Sequence, residues 1–367
     1  MDYSKILNKQ QRKAIMDGVL TPFSWIYGAG VWVRNTAFKI GILPQEEFDI
    51  PVVSVGNITV GGTGKTPHVE YIIEALYRHY HIGVLSRGYK RQTKGFIQAT
   101  NALTPRDIGD EPYQIYHKYG SLITLAVSEN RRKGIHELLR IDPNINLVLL
   151  DDGFQHRYVR PKVNIVLVNF NDPPFNDKLL PLGHLREPAD NVLNAHMVVV
   201  TKCPTDLSPI DIRMMKDGLN LFPSQKLYFS NIRYADPVSI FPVSNPQLTS
   251  LQELTANDSV LCVTGVATPL PLVRYLRQFQ AQVKVMHFDD HHFFTRRDFS
   301  DIFKHYNELE GRRKFIITTE KDSVRILNDP YYPPTMRPCI YYVPIKVGFL
   351  QDGNGDFIAD LDHLIKE

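Results

Sequence analysis

Val53-Ser-Val-Gly-Asn-Ile-Thr-Val-Gly-Gly-Thr-Gly-Lys-Thr-Pro67 decides how the rest of the chain is read. A short β-branched run leads into a glycine-rich turn, then Lys65 and Thr66, then a helix-forming segment from His68 to Arg78. This is the order of parts in a phosphate-binding loop. Backbone N–H groups and a helix N-terminus cradle phosphate oxygens, the lysine reaches the outer phosphates, and the hydroxyl holds Mg²⁺. The loop spans Thr59, Val60, Gly61, Gly62, Thr63, Gly64, Lys65 and Thr66. Thr59 stands where the usual pattern has its first glycine. Gly61, Gly62 and Gly64 remain to supply positive φ and close backbone approach. Pro67 suits a first helical turn, where its missing N–H costs nothing.

Outward from this loop, apolar runs alternate with helix-like segments. Expected strands are Val52–Val55, Ile82–Ser86, Leu122–Val127, Asn146–Leu150, Val163–Val168 and Met197–Thr201. A second series follows at Lys226–Ser230, Val260–Thr264, Val283–Phe288, Phe315–Thr319 and Ile340–Pro344, with helices such as Leu270–Phe279 and Arg297–Leu309. Continuous apolar strands separated by helices predict an α/β fold, with mainly parallel sheets covered by helices. The expected division is an N-terminal segment 1–48, a P-loop core 49–205 and a smaller α/β domain 206–367. The final strand has the option of returning to the core.

Leu147-Val-Leu-Leu-Asp-Asp-Gly-Phe-Gln-His-Arg157 is a strand ending in acid, the Walker B arrangement. Mg²⁺ takes hard oxygen ligands and keeps several waters, so one carboxylate facing the phosphates is enough. Asp151 and Asp152 point to opposite faces of the strand, and the residues alone leave open which one meets the metal. Ser86-Arg-Gly-Tyr-Lys-Arg91 also follows a strand, where ligands of open α/β sheets bind, and Arg87 is suited to clamp phosphate. In Gly109-Asp-Glu-Pro112, Asp110 either takes a hydroxyl proton or caps a helix. Phe288-Asp-Asp-His-His-Phe-Phe294 is no zinc set, because contiguous ligands do not share one face; a histidine–carboxylate proton relay suits it better. Thr201-Lys-Cys-Pro204 and Thr319-Glu-Lys-Asp322 both depart from the guanine-reading Asn/Thr-Lys-x-Asp pattern, which leaves ATP as the nucleotide.

Composition sets outer bounds. The 367 residues carry a net charge of +3, too little to argue for nucleic acid. No run reaches the roughly 18 to 20 apolar residues of a spanning helix, and no signal-peptide pattern is expected at the N-terminus. Cys203, Cys262 and Cys339 are odd in number and widely spaced, in keeping with reduced thiols. Both tryptophans, Trp25 and Trp32, lie in Leu20–Arg34, after a basic segment Lys5–Lys13. Aromatics beside cations suit a helix lying on a membrane surface; ordinary packing onto the domain is the alternative.

Together these motifs resemble the tetraacyldisaccharide 4′-kinase (lipid A 4′-kinase) family. The matching pieces are Pro22-Phe-Ser-Trp-Ile-Tyr27, Ser54–Pro67, Ser86-Arg-Gly-Tyr89, Gly109-Asp-Glu-Pro112, Asp151-Asp-Gly-Phe-Gln-His156, Leu185-Arg-Glu-Pro188, Asp290-His291 and Thr319-Glu-Lys-Asp322. The threonine variant of the loop is itself a feature of that family. The resemblance implies transfer of the γ-phosphate of ATP to the 4′-hydroxyl of a tetraacylated glucosamine disaccharide 1-phosphate, with Mg²⁺. It implies a peripheral or monotopic site on the cytoplasmic face of a Gram-negative inner membrane, with no nucleic acid and no obligate protein partner. Asp110 and His291 would form a base dyad, with Lys65 on the phosphates and Asp151 in the catalytic cluster. Thr66, Asp152 and Glu187 would hold the metal, and Arg87, Tyr89, Gln155 and His156 would contact substrate. The smaller domain would close through a hinge, bringing His291 to Asp110 when nucleotide is bound. A membrane-associated P-loop ATPase switch and a soluble kinase of another small hydroxyl compound are the competing readings.

Overall fold

A computed structural model of the chain describes residues 3–242, 246–350 and 356–367, with side chains from residue 17 onward. The side chains of the basic segment Lys5–Lys13 lie outside the described residues. The strands are β1 (Val52–Gly56), β2 (Ile82–Ser86), β3 (Ile97–Gln98), β4 (Ile123–Val127), β5 (Leu147–Asp151), β6 (Val163–Asn169), β7 (Met197–Thr201), β8 (Lys226–Tyr234), β9 (Val238–Ser239), β10 (Asp258–Thr264), β11 (Gln282–His287), β12 (Arg313–Thr319), β13 (Ile340–Val343) and β14 (Ile345–Phe349). The helices are α1 (Tyr3–Lys39), α2 (Lys65–Leu76), α3 (Pro105–Ile108), α4 (Asp110–Tyr119), α5 (Arg131–Ile141), α6 (Pro209–Leu219), α7 (Leu270–Leu276), α8 (Arg296–Asn307), α9 (Glu320–Leu327) and α10 (Phe357–Lys366).

Nine strands form one sheet in the order β14-β8-β7-β6-β1-β5-β2-β4-β3. From β8 to β4 the pairing is parallel; the edges β14 and β3 run antiparallel. β1, β2, β5 and β7 are buried along their whole length. This is why they read as unbroken apolar runs: helices cover both faces, and no strand face meets water. A second sheet, β11-β10-β12-β13-β9, has its own core around Val260, Cys262, Phe315, Ile317 and Tyr341.

The sheets do not divide at residue 206. β8 pairs beside β7 in the first sheet, and the chain leaves only after Tyr234. The expected strand ending at Pro344 stays in the second sheet as β13, and the next strand, β14, crosses back to pair with β8. α10 then seals the first core with Phe357, Leu361 and Ile365. The two crossings lie side by side, with Ala235 N donating to Pro344 O at 3.0 Å.

α1 is one continuous helix with two different faces. One face is tied down by polar contacts: Ser24 Oγ donates to Leu179 O at 2.9 Å and Tyr27 Oη to Arg186 O at 2.9 Å. On the other, Val19, Phe23, Ile26 and Val33 recur at helical spacing and are exposed, with Trp25 (73% exposed) and Trp32 beside them. Six large apolar side chains turned outward reverse the usual amphipathic pattern. Among the described residues, no helix is long and apolar enough to cross a membrane.

Candidate active site

The phosphate loop sits where β1 gives way to α2, in the middle of the larger sheet. Gly61 and Gly64 take φ of 103° and 86°, the left-handed region that glycine allows; Gly62 does not need it. Residues 184–187 pair with the start of the loop. Val60 N donates to His184 O at 2.8 Å, and Arg186 donates from Nε to Thr59 O at 3.0 Å and from Nη2 to Asn57 Oδ1 at 2.6 Å. α2 opens at Lys65, so the N–H groups of Lys65 and Thr66 have no partner within the helix, Pro67 has none to satisfy, and His68 N donates to Gly64 O at 3.3 Å. Lys65 Nζ lies 3.6 Å from Asp152 Oδ1 and 3.5 Å from Asn57 Oδ1, and Thr66 follows in the same turn.

The two aspartates have separate surroundings. Asp151 ends β5 fully buried; Ser86, at the end of β2, donates from Oγ to Asp151 Oδ2 at 2.9 Å. Asp151 Oδ1 is buried without a hydrogen-bond partner. Burial above all, then the charges of Glu111 and Asp152, push this carboxyl up to about 6 despite Ser86 and Lys65. Asp152 leaves the strand at φ 53° and turns to Lys65 and Arg186, each 3.6 Å away. Burial raises it, but Lys65, Arg186 and Arg131 outweigh that and hold it below the usual carboxylate range.

An orphaned carboxylate oxygen beside a lysine and a helix N-terminus fits a small divalent cation. No three His, Cys, Asp or Glu side chains converge on one point among the described residues. Any Mg²⁺ here would therefore rely on one or two carboxylates, the Thr66 hydroxyl, waters and phosphate oxygens. Glu187 does not join this group. Arg34 pairs with its Oε1, while Asn35 Nδ2 and Asn191 Nδ2 donate to Oε2 at 3.0 and 2.7 Å. In this structure that carboxylate serves the docking of α1.

Gly56 and Gly153 let the β1 and β5 loops touch. A Cβ on Gly56 would lie 2.5 Å from Phe154 Cβ and 2.9 Å from Phe154 N. Gly56→Ala should therefore displace the Asp151–Phe154 turn and cost about 1–3 kcal/mol, read as a lower urea midpoint together with weaker ATP binding.

Across the cleft, Asp110 and His291 come from different sheets. Asp110 opens α4 under Gly109, and His291 lies in the loop after β11 at φ 63°. Nδ1 of His291 is 2.8 Å from Asp110 Oδ2. Asp110 is not the helix cap: its carboxylate goes to His291 and to Arg325, whose Nη2 donates to the same oxygen at 2.6 Å. Burial raises this carboxyl, but the His291 and Arg325 hydrogen bonds and charges bring it down to about 2. Lys321 Nζ, a donor only, sits 3.1 Å from His291 Nε2 and 3.5 Å from Glu111. Arg325 Nη2, also only a donor, lies 3.3 Å from Nδ1, but the shorter contact of Nδ1 to the Asp110 carboxylate and that of Nε2 to Lys321 assign the proton to Nδ1, directed at Asp110, and make Nε2 the acceptor. Tyr89 packs its ring on His291, centroids 5.7 Å apart.

The other expected substrate residues frame the same region. Arg87 is exposed, and Gln155 and His156 lie on the half-buried turn after Asp152. Burial, then the Arg131 and Arg87 cations, push His156 down to about 4. A polar cavity of about 310 Å³ behind this turn is lined by Ser54, Gly153, His156, Glu187, Asn191 and His196, among others.

Sequence reading missed the helix α9 contribution. Thr319 caps α9 through Asp322, and Asp322 accepts from Gly265 N at 2.9 Å and Arg325 Nη1 at 2.9 Å. Thr319-Glu-Lys-Asp322 therefore serves to hold Arg325 against Asp110. Lys118 of α4 bridges Glu70 of α2 (2.5 Å) and Glu320 of α9 (2.8 Å), tying together the three helices that carry Lys65, Asp110 and Arg325. Only the spacing Thr319–Arg325 on one helix hinted at this.

The chain is similar to known proteins along almost its whole length. The family model described as tetraacyldisaccharide-1-P 4′-kinase matches residues 16–366. The chain is 45% identical over 355 residues to a tetraacyldisaccharide 4′-kinase of Bacteroides thetaiotaomicron, covering 95% of this chain and 93% of the relative. It is 43% identical over 347 residues to one from Porphyromonas gingivalis, covering 93% and 95%. The fold is similar to a crystal structure of LpxK from Aquifex aeolicus in complex with ATP, with TM-score 0.72 and 25% identity over 96% of this chain and 98% of that one. A match that runs almost end to end, at this level of identity, means that the chain belongs to the tetraacyldisaccharide-1-P 4′-kinase family.

Proposed function

We propose that the chain is an ATP-dependent kinase that phosphorylates the 4′-hydroxyl of a tetraacylated glucosamine disaccharide 1-phosphate at the cytoplasmic face of a Gram-negative inner membrane. Its family membership supports the activity, and one observation carries the assignment to a transferase rather than a switch. A part-buried Asp110–His291 pair, 2.8 Å apart, stands opposite a phosphate loop. A protein that only cycles nucleotide has no need of a base for an acceptor hydroxyl.

The geometry supports these roles. The first turn of α2 and Lys65 take the ATP phosphates. Asp151, Asp152 and Thr66 are the residues to hold Mg²⁺, which when bound neutralises phosphate charge and orients the γ-phosphoryl group. The sugar hydroxyl is a poor nucleophile, and the pair relieves it of its proton. A carboxyl at about 2 is a weak base by itself. It acts by fixing the imidazole so that Nε2 faces the acceptor, with Lys321 giving way toward Glu111. The domains run from 49 to 234 with 345–367, and from 235 to 344. The second closes on the first about the paired crossings at Ala235 and Pro344.

The exposed apolar face of α1 supports a membrane-held substrate. Tyr27 and Arg34 anchor the opposite face to Arg186 and Glu187, next to the phosphate loop. A lipid surface on this face of α1 would lie beside the cleft, so the acyl chains could stay in the bilayer. Trp25→Ser with Trp32→Ser should weaken sedimentation with anionic phospholipid vesicles about tenfold or more, while ATP affinity stays within twofold. Unchanged sedimentation would return α1 to ordinary packing. The function itself is tested by mass spectrometry of tetraacyldisaccharide 1-phosphate incubated with detergent-solubilised protein, ATP and Mg²⁺. A product heavier by one phosphate on the distal sugar is expected; ATP hydrolysis without it would favour the switch.

A further inference from the structure

We infer that His68 and Thr201 are positioning residues that hold the phosphate loop open to ATP from behind, by fixing two of its carbonyls. The inference rests on the nucleotide-binding role of that loop and adds residues that never touch the nucleotide.

Thr201 is the last residue of β7 and has no exposed surface. Its Oγ1 donates to Thr63 O at 2.9 Å. His68, in the first turn of α2, is equally buried, and its Nδ1 lies 2.7 Å from Gly64 O. A carbonyl only accepts, so Nδ1 carries the proton. Nε2 then accepts from Ser230 Oγ, 2.9 Å away on β8.

The consequence is stereochemical. Both peptides, Thr63–Gly64 and Gly64–Lys65, are trans. In a trans peptide the N–H points opposite to the C=O. Turning Thr63 O into the protein toward Thr201 therefore turns the Gly64 N–H outward. Turning Gly64 O toward His68 does the same for the Lys65 N–H. These amides face the loop mouth, where the phosphates bind. Gly64 at φ 86° has little intrinsic preference, because glycine populates both signs of φ. Gly64 O also takes the first backbone bond of α2, from His68 N at 3.3 Å, so the imidazole reinforces that peptide; Thr63 O stands opposite Pro67, which has no N–H, so without Thr201 the Thr63–Gly64 peptide is free to flip and point its carbonyl at the phosphates. Preorganised amides bind an anion at no cost in reorganisation. Thr201 opens the Thr201-Lys-Cys-Pro204 stretch, which lacks the aspartate of a guanine reader; its hydroxyl supports the loop instead.

The test uses the full chain and calorimetric binding of ATP with Mg²⁺, with steady-state kinetics alongside. Thr201→Val keeps the shape and removes the donor. It should weaken ATP about tenfold and raise KM for ATP equally, with kcat and KM for the lipid acceptor within twofold. Thr201→Ser should stay within twofold of the native chain. His68→Phe should also weaken ATP, and His68→Asn, which returns a donor near Nδ1, should recover most of it. If His68→Phe does not fold, Ser230→Ala removes only the lock on Nε2 and should weaken ATP about threefold. Thr201→Val binding ATP within twofold of the native chain overturns the proposal. So does Thr201→Ser losing as much as Thr201→Val, since packing would then be the cause. Failure of the native chain to bind ATP would instead count against the kinase reading.

Discussion

Asp110→Asn should lower turnover by about 10²- to 10⁴-fold while leaving ATP affinity within twofold of the native chain. The side chain keeps its shape and loses only its charge. Asp110 stands at the start of α4, apart from the phosphate loop, and its carboxylate faces His291 and Arg325. Nucleotide binding should therefore not register the change. The imidazole should, because a neutral amide in either orientation holds the Nδ1 proton less firmly than a carboxylate does. His291→Ala should cost a similar factor, and the double variant hardly more than either single one, since two groups that move one proton fail together. Fully additive losses would mean that the two residues act in separate steps. Full turnover in Asp110→Asn would reduce the pair to a structural contact between the two sheets.

The parts of this site differ in how far the sequence exposes them. The phosphate loop and β5 are local: their residues are adjacent in the chain, and continuous apolar runs placed strands such as Ile82–Ser86 and Met197–Thr201 at their observed bounds. The edge strands β3 and β9 escaped because two residues carry no period. Tertiary contacts were hidden for a different reason. The resemblance implies Glu187 as a metal ligand, and nothing near it in the chain reveals that α1, more than a hundred residues upstream, delivers Arg34 and Asn35 to it. Arg325 reads as an ordinary helix arginine until the second sheet sets it on Asp110. Lys118 likewise reads as a surface lysine in the last turn of α4. Packing places it between Glu70, which burial and the Glu320 charge push up to about 7 against Lys118 and Gln114, and Glu320 itself. Local motifs name the reacting groups; the groups that orient them are fixed only when the two sheets meet.

Arg325→Met is expected to be the most destabilising single change in the cleft, about 3–5 kcal/mol at neutral pH. Its guanidinium is 1% exposed and joins two buried carboxylates, with Nη2 on Asp110 and Nη1 on Asp322. Methionine fills much of the volume, so the loss is one of charge and hydrogen bonds. Asp322 is fully buried, and burial already raises its carboxyl even with Arg325 in place. Without the arginine, both acids would have folded-state pKa values above their unfolded ones. The pH dependence then separates charge from packing. In the native chain Asp110, held at about 2, contributes stability that is present above about pH 4 and lost as pH falls from there toward 2. In the variant the sign reverses: protonation of Asp110 and Asp322 relieves the folded state, so its stability rises as pH falls from 7.5 to 5. The gap between native and variant urea midpoints should therefore narrow over that range. An equal gap at both pH values would show that Arg325 matters for its bulk. A narrowing gap would show that one buried cation keeps Asp110 charged and the two sheets joined.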